Sequence, residues 1–386
     1  MKLAKLSLAA MVVAGLATSS FAADTLADAF AKGKVQGELR AWYFDRDRPA
    51  GDADIINTGL VLNYVTDTFY GFYMGATFQS NYAPWADKDA KAMFKGDQYG
   101  SGAVLSEAYL GYKMKNTNIK IGRQFISTPL VNGSGSRMIK QSFEGVTVVN
   151  TDIPNTTVVA GFVNKFQNRT DGDGNVADFE KLTNGEDAYT LLVVNKSIPG
   201  LTLTGQWVQL TDTYNDYYVE AAYAGKATSF TYGLAANYLA TDYDASGVDT
   251  GQMYGVKASV GVENFNAYVA YSKITDDNAV VAGLGNGAQP NFVKGYQVTT
   301  GTYTSDTTGY SIDANYNFKN IGLLLGARYT DLDVDSSVND DRSYTDIYAV
   351  YNFSGALKGL SADLSYSDMG KDVDGDELWF KANYKF

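Results

Sequence analysis

In the stretch "ELWFKANYKF", Leu378, Phe380, Ala382, Tyr384 and Phe386 share one face of an extended strand. Glu377, Trp379, Lys381, Asn383 and Lys385 share the other. Strand side chains alternate with period two, so this pattern commits the segment to a sheet with one apolar face. A soluble edge strand satisfies it, and so does a membrane strand ending on an interfacial aromatic. The rest of the chain decides, because the alternation recurs. Eighteen candidate strands begin near residues 34, 54, 69, 103, 118, 138, 156, 187, 201, 215, 228, 251, 264, 307, 321, 342, 360 and 376. In "NIGLLLGARYTD", Ile321, Leu323, Leu325, Ala327 and Tyr329 oppose Gly322, Gly326, Arg328 and Thr330. In "GYSIDANYNF", Tyr310, Ile312, Ala314, Tyr316 and Phe318 oppose Ser311, Asp313, Asn315 and Asn317. The stretch 118–150 fits no single register.

The connections alternate in length. Short, turn-like ones fall near 66–68, 116–117, 152–155, 197–200, 225–227, 263–264, 319–320 and 355–359, with strings such as "KNT" and "SIPG". Longer ones, mostly rich in Asp, Gly, Asn and Ser, fall near 47–53, 82–102, 128–137, 169–186, 211–214, 241–250, 276–306, 333–341 and 369–375. A membrane barrel with both chain ends on one side needs short turns there and longer loops opposite. A soluble sandwich follows no such one-sided rule, and no internal repeat supports a β-helix. The expected fold is therefore all-β: a transmembrane antiparallel β-barrel of about 18 strands, wide enough to leave an aqueous channel.

The first residues have another character. Lys2 and Lys5 precede "LSLAAMVVAGLA", and Ser20 and Ala22 supply the small residues of a cleavage site. Residues 1–22 are expected to be a secretory signal peptide, leaving 23–386 as a single barrel domain. No other segment approaches ~18 uninterrupted apolar residues, so strands must do any spanning. Removing Lys2 and Lys5 from the 31 basic side chains leaves 29 against 43 acidic ones, a net charge of −14. Such a chain is a poor partner for nucleic acid. It has no cysteine and no histidine. That excludes disulfides, Ser-His-Asp and Cys-His chemistry and the usual zinc sites, and no cofactor or metal is expected. The loop "RTDGDGNVADFE" (169–180) gives Asp171, Asp173 and Asn175 calcium-like spacing. Val176 replaces the glycine such a loop needs, and no Glu closes it, so a solvated acidic loop is the default reading. "DVDSSVNDD" (333–341) and "DMGKDVDGDE" (368–377) could bridge divalent ions to lipopolysaccharide.

Three stretches resemble OprD-type outer-membrane porins. "LADAFAKGKVQGELRAWYFDRD" (26–47) is similar to their N-terminal region, and "FSGALKGLSADLSY" (353–366) to a stretch near their end. The most specific is "IKIGRQFISTPLVNGSGSRMIKQSFEGV" (119–146), which resembles the family's G-R-Q … P … S-R … P-x-T-F-x-G segment. The flavour is that of the epsilonproteobacterial Opr-type porins. The resemblance implies an eighteen-stranded barrel, often trimeric, whose lumen carries a track of arginines. It also implies small, water-soluble and frequently carboxylate-bearing solutes. Two departures stand out. Lys140 and Gln141 precede Ser142–Phe143 where the family has a proline before its T-F pair. In "DELWFKANY", Trp379 stands where the family commonly has an arginine, which removes one rung of that track.

Parity nominates side chains for the lumen. In "VQGELRAWYF", Gln36, Glu38, Arg40, Trp42, Phe44 and Arg46 share a face. A lipid-facing arginine at the midplane costs ~2–4 kcal/mol, so Arg40 should point inward. It can serve as a pore cation, as a salt-bridge partner of Glu38, or as both. Arg328 faces away from the apolar stripe of its strand. Arg342 lies beside Tyr344 and Asp346, and Lys381 is inward by the parity of its strand. Arg123 shares the parity of Ile119 and Ile121, which by itself points outward; the resemblance places it and Arg137 inward. Glu38, Glu107, Asp313 and Asp346 are the inward acids. Opposed clusters of such charges set which ions pass, and arginine adds a fixed fork for carboxylates. Trp42, Phe44 and Trp379 would form an aromatic slide in a sugar channel.

The expected function is passive diffusion of small hydrophilic solutes and ions, carboxylates or amino acids among them, across an outer membrane. Its partners are outer-membrane lipid and lipopolysaccharide. Two other readings stay open: a surface adhesin or structural barrel with acidic loops, and a barrel enzyme, which the lack of histidine disfavours.

Overall fold

The computed structural model describes residues 23–297, 300–334 and 341–386. The expected signal peptide and residues 335–340 of one acidic loop lie outside them. The strands are β1 (Lys34–Arg48), β2 (Gly51–Val65), β3 (Phe72–Asn81), β4 (Gly102–Met114), β5 (Thr117–Gln124), β6 (Ser142–Asn150), β7 (Thr156–Gln167), β8 (Phe179–Lys181), β9 (Ala188–Asn195), β10 (Leu201–Leu210), β11 (Tyr214–Lys226), β12 (Thr231–Tyr243), β13 (Gly251–Val262), β14 (Phe265–Ile274), β15 (Thr307–Phe318), β16 (Leu323–Val334), β17 (Arg342–Asn352), β18 (Leu360–Lys371) and β19 (Gly375–Lys385). Neighbours in the chain pair antiparallel. The three-residue β8 only extends the top of β7, and β9 pairs with β7 directly. β19 returns to β1, from Glu38↔Lys385 to Asp47↔Asp376. Eighteen staves thus close into a ring. Each predicted strand start lies within four residues of an observed one.

Alternation explains the wall. Val35 and Leu39 on β1 are exposed outward, whereas Trp42 and Phe44 are buried inward. Outward rings form two belts. Tyr217 and Tyr223, Tyr232 and Tyr238, Phe265 and Tyr271, and Tyr310 and Tyr316 stand six residues apart on β11, β12, β14 and β15. Six residues span about 20 Å of strand, and amphipathic rings at both ends suit the two interfaces of a membrane.

One end of the ring carries short turns, such as 115–116, 151–155 and 263–264. At the other, loops 82–101, 125–141, 168–187 and 275–306 are long. The expected long loops at 47–53, 211–214 and 369–375 are instead tight: only 49–50, 211–213 and 372–374 leave the ladder. Asp45 pairs across with Asp54 and Asp47 with Asp52, so those aspartates belong to strands. Polarity there marks exposure to water, not the end of hydrogen bonding.

The long loops fold into the ring. Ile126, Leu130 and Val131 of loop 125–141 and Val280 and Leu284 of loop 275–306 pack on inward Val208, Leu239, Met253 and Ile274 of the wall. This second apolar face is why 118–150 fits no single register. The two loops are joined. Leu284 N donates to Leu130 O at 2.8 Å, Asn132 N to Leu284 O at 2.9 Å, and Asn132 Nδ2 to Gly287 O at 2.7 Å. Gly283, at φ 103°, has Leu130 O where a side chain would sit, so only glycine fits the crossing.

The seam of the ring is sealed by Phe386. Its N–H and C=O bond the C=O and N–H of Gly37 at 3.0 and 2.9 Å, and its ring lies over Gly37 where any Cβ would collide. Gly37→Val should therefore lower the midpoint of the heat-modifiable band on detergent gels by several degrees, as should Phe386→Ala. The two losses should not add, since both remove one contact. Additive losses would show that the ring does not seal the seam.

Candidate functional site in the loop-lined lumen

Loop 82–101 contains the short helix Lys88–Phe94, whose N-cap Asp87 accepts from the backbone of Asp89 and Ala90. It delivers Phe94 and Asp97 to the inner face of β1. There Arg46 lies 4.7 Å over the Phe94 ring, donates to Asp97 at 3.0 Å and to Glu377 at 2.8 Å. Arg48 also donates to Glu377. Arg137 of loop 125–141 takes the same Asp97 at 2.9 Å. Burial alone would raise the Asp97 carboxyl, but Arg137 and Arg46 outweigh it and hold it below the usual carboxylate range.

Below this network the cations converge. The Ser136 carbonyl accepts from Lys381 Nζ at 3.1 Å, and its hydroxyl oxygen accepts from Arg169 Nη2 at 3.3 Å and Arg137 Nη1 at 3.4 Å. Arg40 reaches Met138 O, two residues on, at 2.7 Å and pairs with Glu38 at 2.9 Å. Four cations from β1, β19 and two loops thus meet around one loop segment. Among the described residues Arg169 and Lys381 make no ion pair, and Arg169 Nε is buried without a hydrogen-bond partner. Burial and the adjacent Arg137 pull Arg169 below the usual guanidinium range, with Asp97 opposing them. The floor is aromatic. Trp42, Phe44 and Trp379 are 4%, 0% and 1% exposed, so their faces are covered and give a solute no slide.

The other nominated residues lie elsewhere. Arg328 and Asp313 face inward and pair at 2.9 Å, but they sit under loop 275–306. Arg328 Nη1 donates to Gly295 O at 3.0 Å, and the Tyr348 hydroxyl donates to Asp313 at 3.0 Å. Asp346 accepts from Tyr296 N at 2.9 Å and from Ser367. Tyr296 stacks on Tyr348 at 3.8 Å, closing the lid. Glu107 accepts from Thr77 at 2.6 Å and from Phe125 N at 3.1 Å, fixing the start of loop 125–141. Arg342 stands at the long-loop end, donating to Thr300 at 2.6 Å.

Arg123 corrects the sequence reading. It points outward, as its parity with the exposed Ile121 requires, and pairs with Glu144 at 3.2 Å. Glu144 also takes Lys165 at 3.2 Å, and Arg123 covers the Phe179 ring at 4.3 Å. The ladder shifts register by one residue at Ser106 on β4 and at Asn164 on β7, and neither bulge turns Arg123 inward. Asp171 is not arranged for calcium: its carboxylate accepts from Asp173 N, Asn175 N and Asn175 Nδ2, closing a turn on itself. No cluster of acidic ligands among the described residues could hold a metal. Arg169, Asp97 and Ser136 escaped the sequence reading. The one available signal was a lone arginine opening an otherwise acidic loop.

A family model described as outer membrane porin, OprD family, matches residues 87–386. No curated protein matches the chain. Pseudomonas aeruginosa OccK8 (OprE) has a similar structure, with TM-score 0.79 at 17% identity over 93% of this chain and 99% of that one. Acinetobacter baumannii OccAB4 gives 0.80 at 20% over 92% and 98%. Pseudomonas aeruginosa OpdK, in its structure with vanillate, gives 0.78 at 17% over 92% and 99%. These likenesses speak for the shared barrel. With the family match covering most of the chain, they lead to one conclusion: the chain belongs to the OprD family of outer membrane porins, and forms an outer-membrane channel for small hydrophilic solutes.

Proposed function

We propose that this channel favours solutes bearing a carboxylate, and that the carboxylate is held by Arg169 and Lys381 beside Ser136. One observation carries the reading: two buried cations meet there without an ion pair among the described residues, one with an unbonded N–H. A buried donor left unsatisfied costs about 1–3 kcal/mol, and more when charged. A passing carboxylate relieves that cost, binding a guanidinium through its fork and an ammonium as a point charge. The OpdK structure with vanillate supports the same solute class.

Transport on this reading is passive, with no catalytic step. Residues 1–22 direct export, and the family resemblance supports a homotrimer. Lipopolysaccharide phosphates meet the outward Arg123–Glu144–Lys165 cluster. The direct test is uptake into proteoliposomes of a small carboxylate and a neutral solute of equal size. A lost charged hydrogen bond is worth about 1.5 kcal/mol, so Arg169→Gln or Lys381→Gln should lower carboxylate uptake by about tenfold and leave neutral uptake unchanged. Equal losses for both solutes would show that the two cations act only on pore shape.

A further inference from the structure

Trp379 lies on the inward face of β19 between Glu377 and Lys381. It is 1% exposed, and its neighbours are charged. The Arg137 guanidinium lies 4.1 Å from its ring centroid and Lys381 Nζ 4.5 Å. Phe44 meets the ring edge-on at 5.0 Å. The indole Nε1 donates to Glu377 Oε2 at 2.6 Å, and Glu377 is itself held by Arg46 and Arg48. The ring is therefore fixed through its edge and its N–H, while its π system is shared by two cations from different elements.

Resting on the proposed carboxylate site, we infer that Trp379 is a positioning residue that keeps Arg137 and Lys381 at Ser136 and available to a solute. The physics is a competition. Lys381 pairs in register with Asp363 on β18, whose Oδ1 is buried without a partner. Arg137 already touches Asp97, a carboxylate it shares with Arg46. Without another attraction, both cations would settle fully onto carboxylates and leave the throat. The electron-rich face of an indole attracts a guanidinium and an ammonium more strongly than other aromatic rings do, and it adds no negative charge to attract them away from a solute. An arginine at this position would instead place a third cation in the same space.

The test replaces Trp379 alone with mono-, di- and trifluorinated tryptophan, which preserves ring shape and N–H while draining charge from the face. The readout is the carboxylate-to-neutral permeability ratio. It should fall stepwise with fluorination, by about five-fold at the third fluorine, with the heat-modifiable band unchanged. Trp379→Phe should keep most of the ratio, and Trp379→Leu should lose it. A ratio flat across the fluorinated series overturns the inference, because packing alone would then account for the ring. The same series run beside Lys381→Gln separates the two claims. A flat series with a responsive Lys381→Gln channel defeats only the role of Trp379. A Lys381→Gln channel that keeps its ratio defeats the carboxylate site itself.

Discussion

Leu130→Asp is expected to raise single-channel conductance several-fold while the barrel stays folded. Leu130 is 0% exposed where loops 125–141 and 275–306 cross, and its backbone bonds Gln206 and Leu284. Burying the leucine contributes about 1.5–3 kcal/mol to seating the loops. Burying an unpaired carboxylate there costs several kcal/mol, so the substitution reverses the sign of the local balance. The loops yield before the wall does, because every stave is hydrogen-bonded on both sides around the ring. Planar-bilayer recordings should show larger and noisier steps, whereas Leu130→Met should match the parent. Unchanged steps in the aspartate variant would mean that the crossed loops do not narrow the lumen.

The second large effect is assigned to Arg328→Ala. The sequence reading gave Arg328 to the solute path. The structure gives it three protein partners: Asp313, Gly295 O and Lys294 O. Truncation leaves the Asp313 carboxylate 1% exposed without its cation. Breaking a buried pair by removing one partner costs about 3–5 kcal/mol. The nearest segment able to relax is loop 275–306, which also loses its bonds at 294 and 295. Conductance should rise and flicker, and carboxylate and neutral solutes should gain alike. Arg328→Ala with Asp313→Ala should recover much of the parent behaviour, since no charge is then stranded. Selective loss of carboxylate flux in Arg328→Ala would instead return this arginine to the solute path.

The wall was legible in the sequence and the interior was not. Parity is a local rule, so the inward positions of Arg40, Lys381 and Arg328 could be read from a few neighbours each. The same rule placed Arg123 outward. The family resemblance argued against it, and the parity proved the better guide. Loop paths follow no local rule. Ser136 and Arg169 are joined by a hydrogen bond across loops that separate tertiary packing brings together. Leu130 and Val131 fall in the expected loop at 128–137, and no local rule showed that they anchor it in the lumen. The aspartates of the tight turns were misread for the opposite reason. Their polarity was taken for loop, while the backbone ladder simply continued past the membrane.

The central claim is that a short-range basic cluster, and not the acidic surface, decides which solutes the channel favours. Residues 23–386 carry a net charge of −14, concentrated in exposed strand ends and loops. That field reaches about 30 Å at 0.01 M salt and about 3 Å at 1 M. Contacts around Ser136 are nearly immune to screening, because they are buried and within hydrogen-bond distance. The decisive measurement is the reversal potential across a sodium carboxylate gradient at both salt levels, for the parent channel and for Arg169→Gln/Lys381→Gln. The parent should prefer sodium at low salt and shift toward the carboxylate at high salt, whereas the double variant should lose its sodium preference at high salt without moving to the carboxylate. Identical potentials for the two channels at both salt levels would contradict the account.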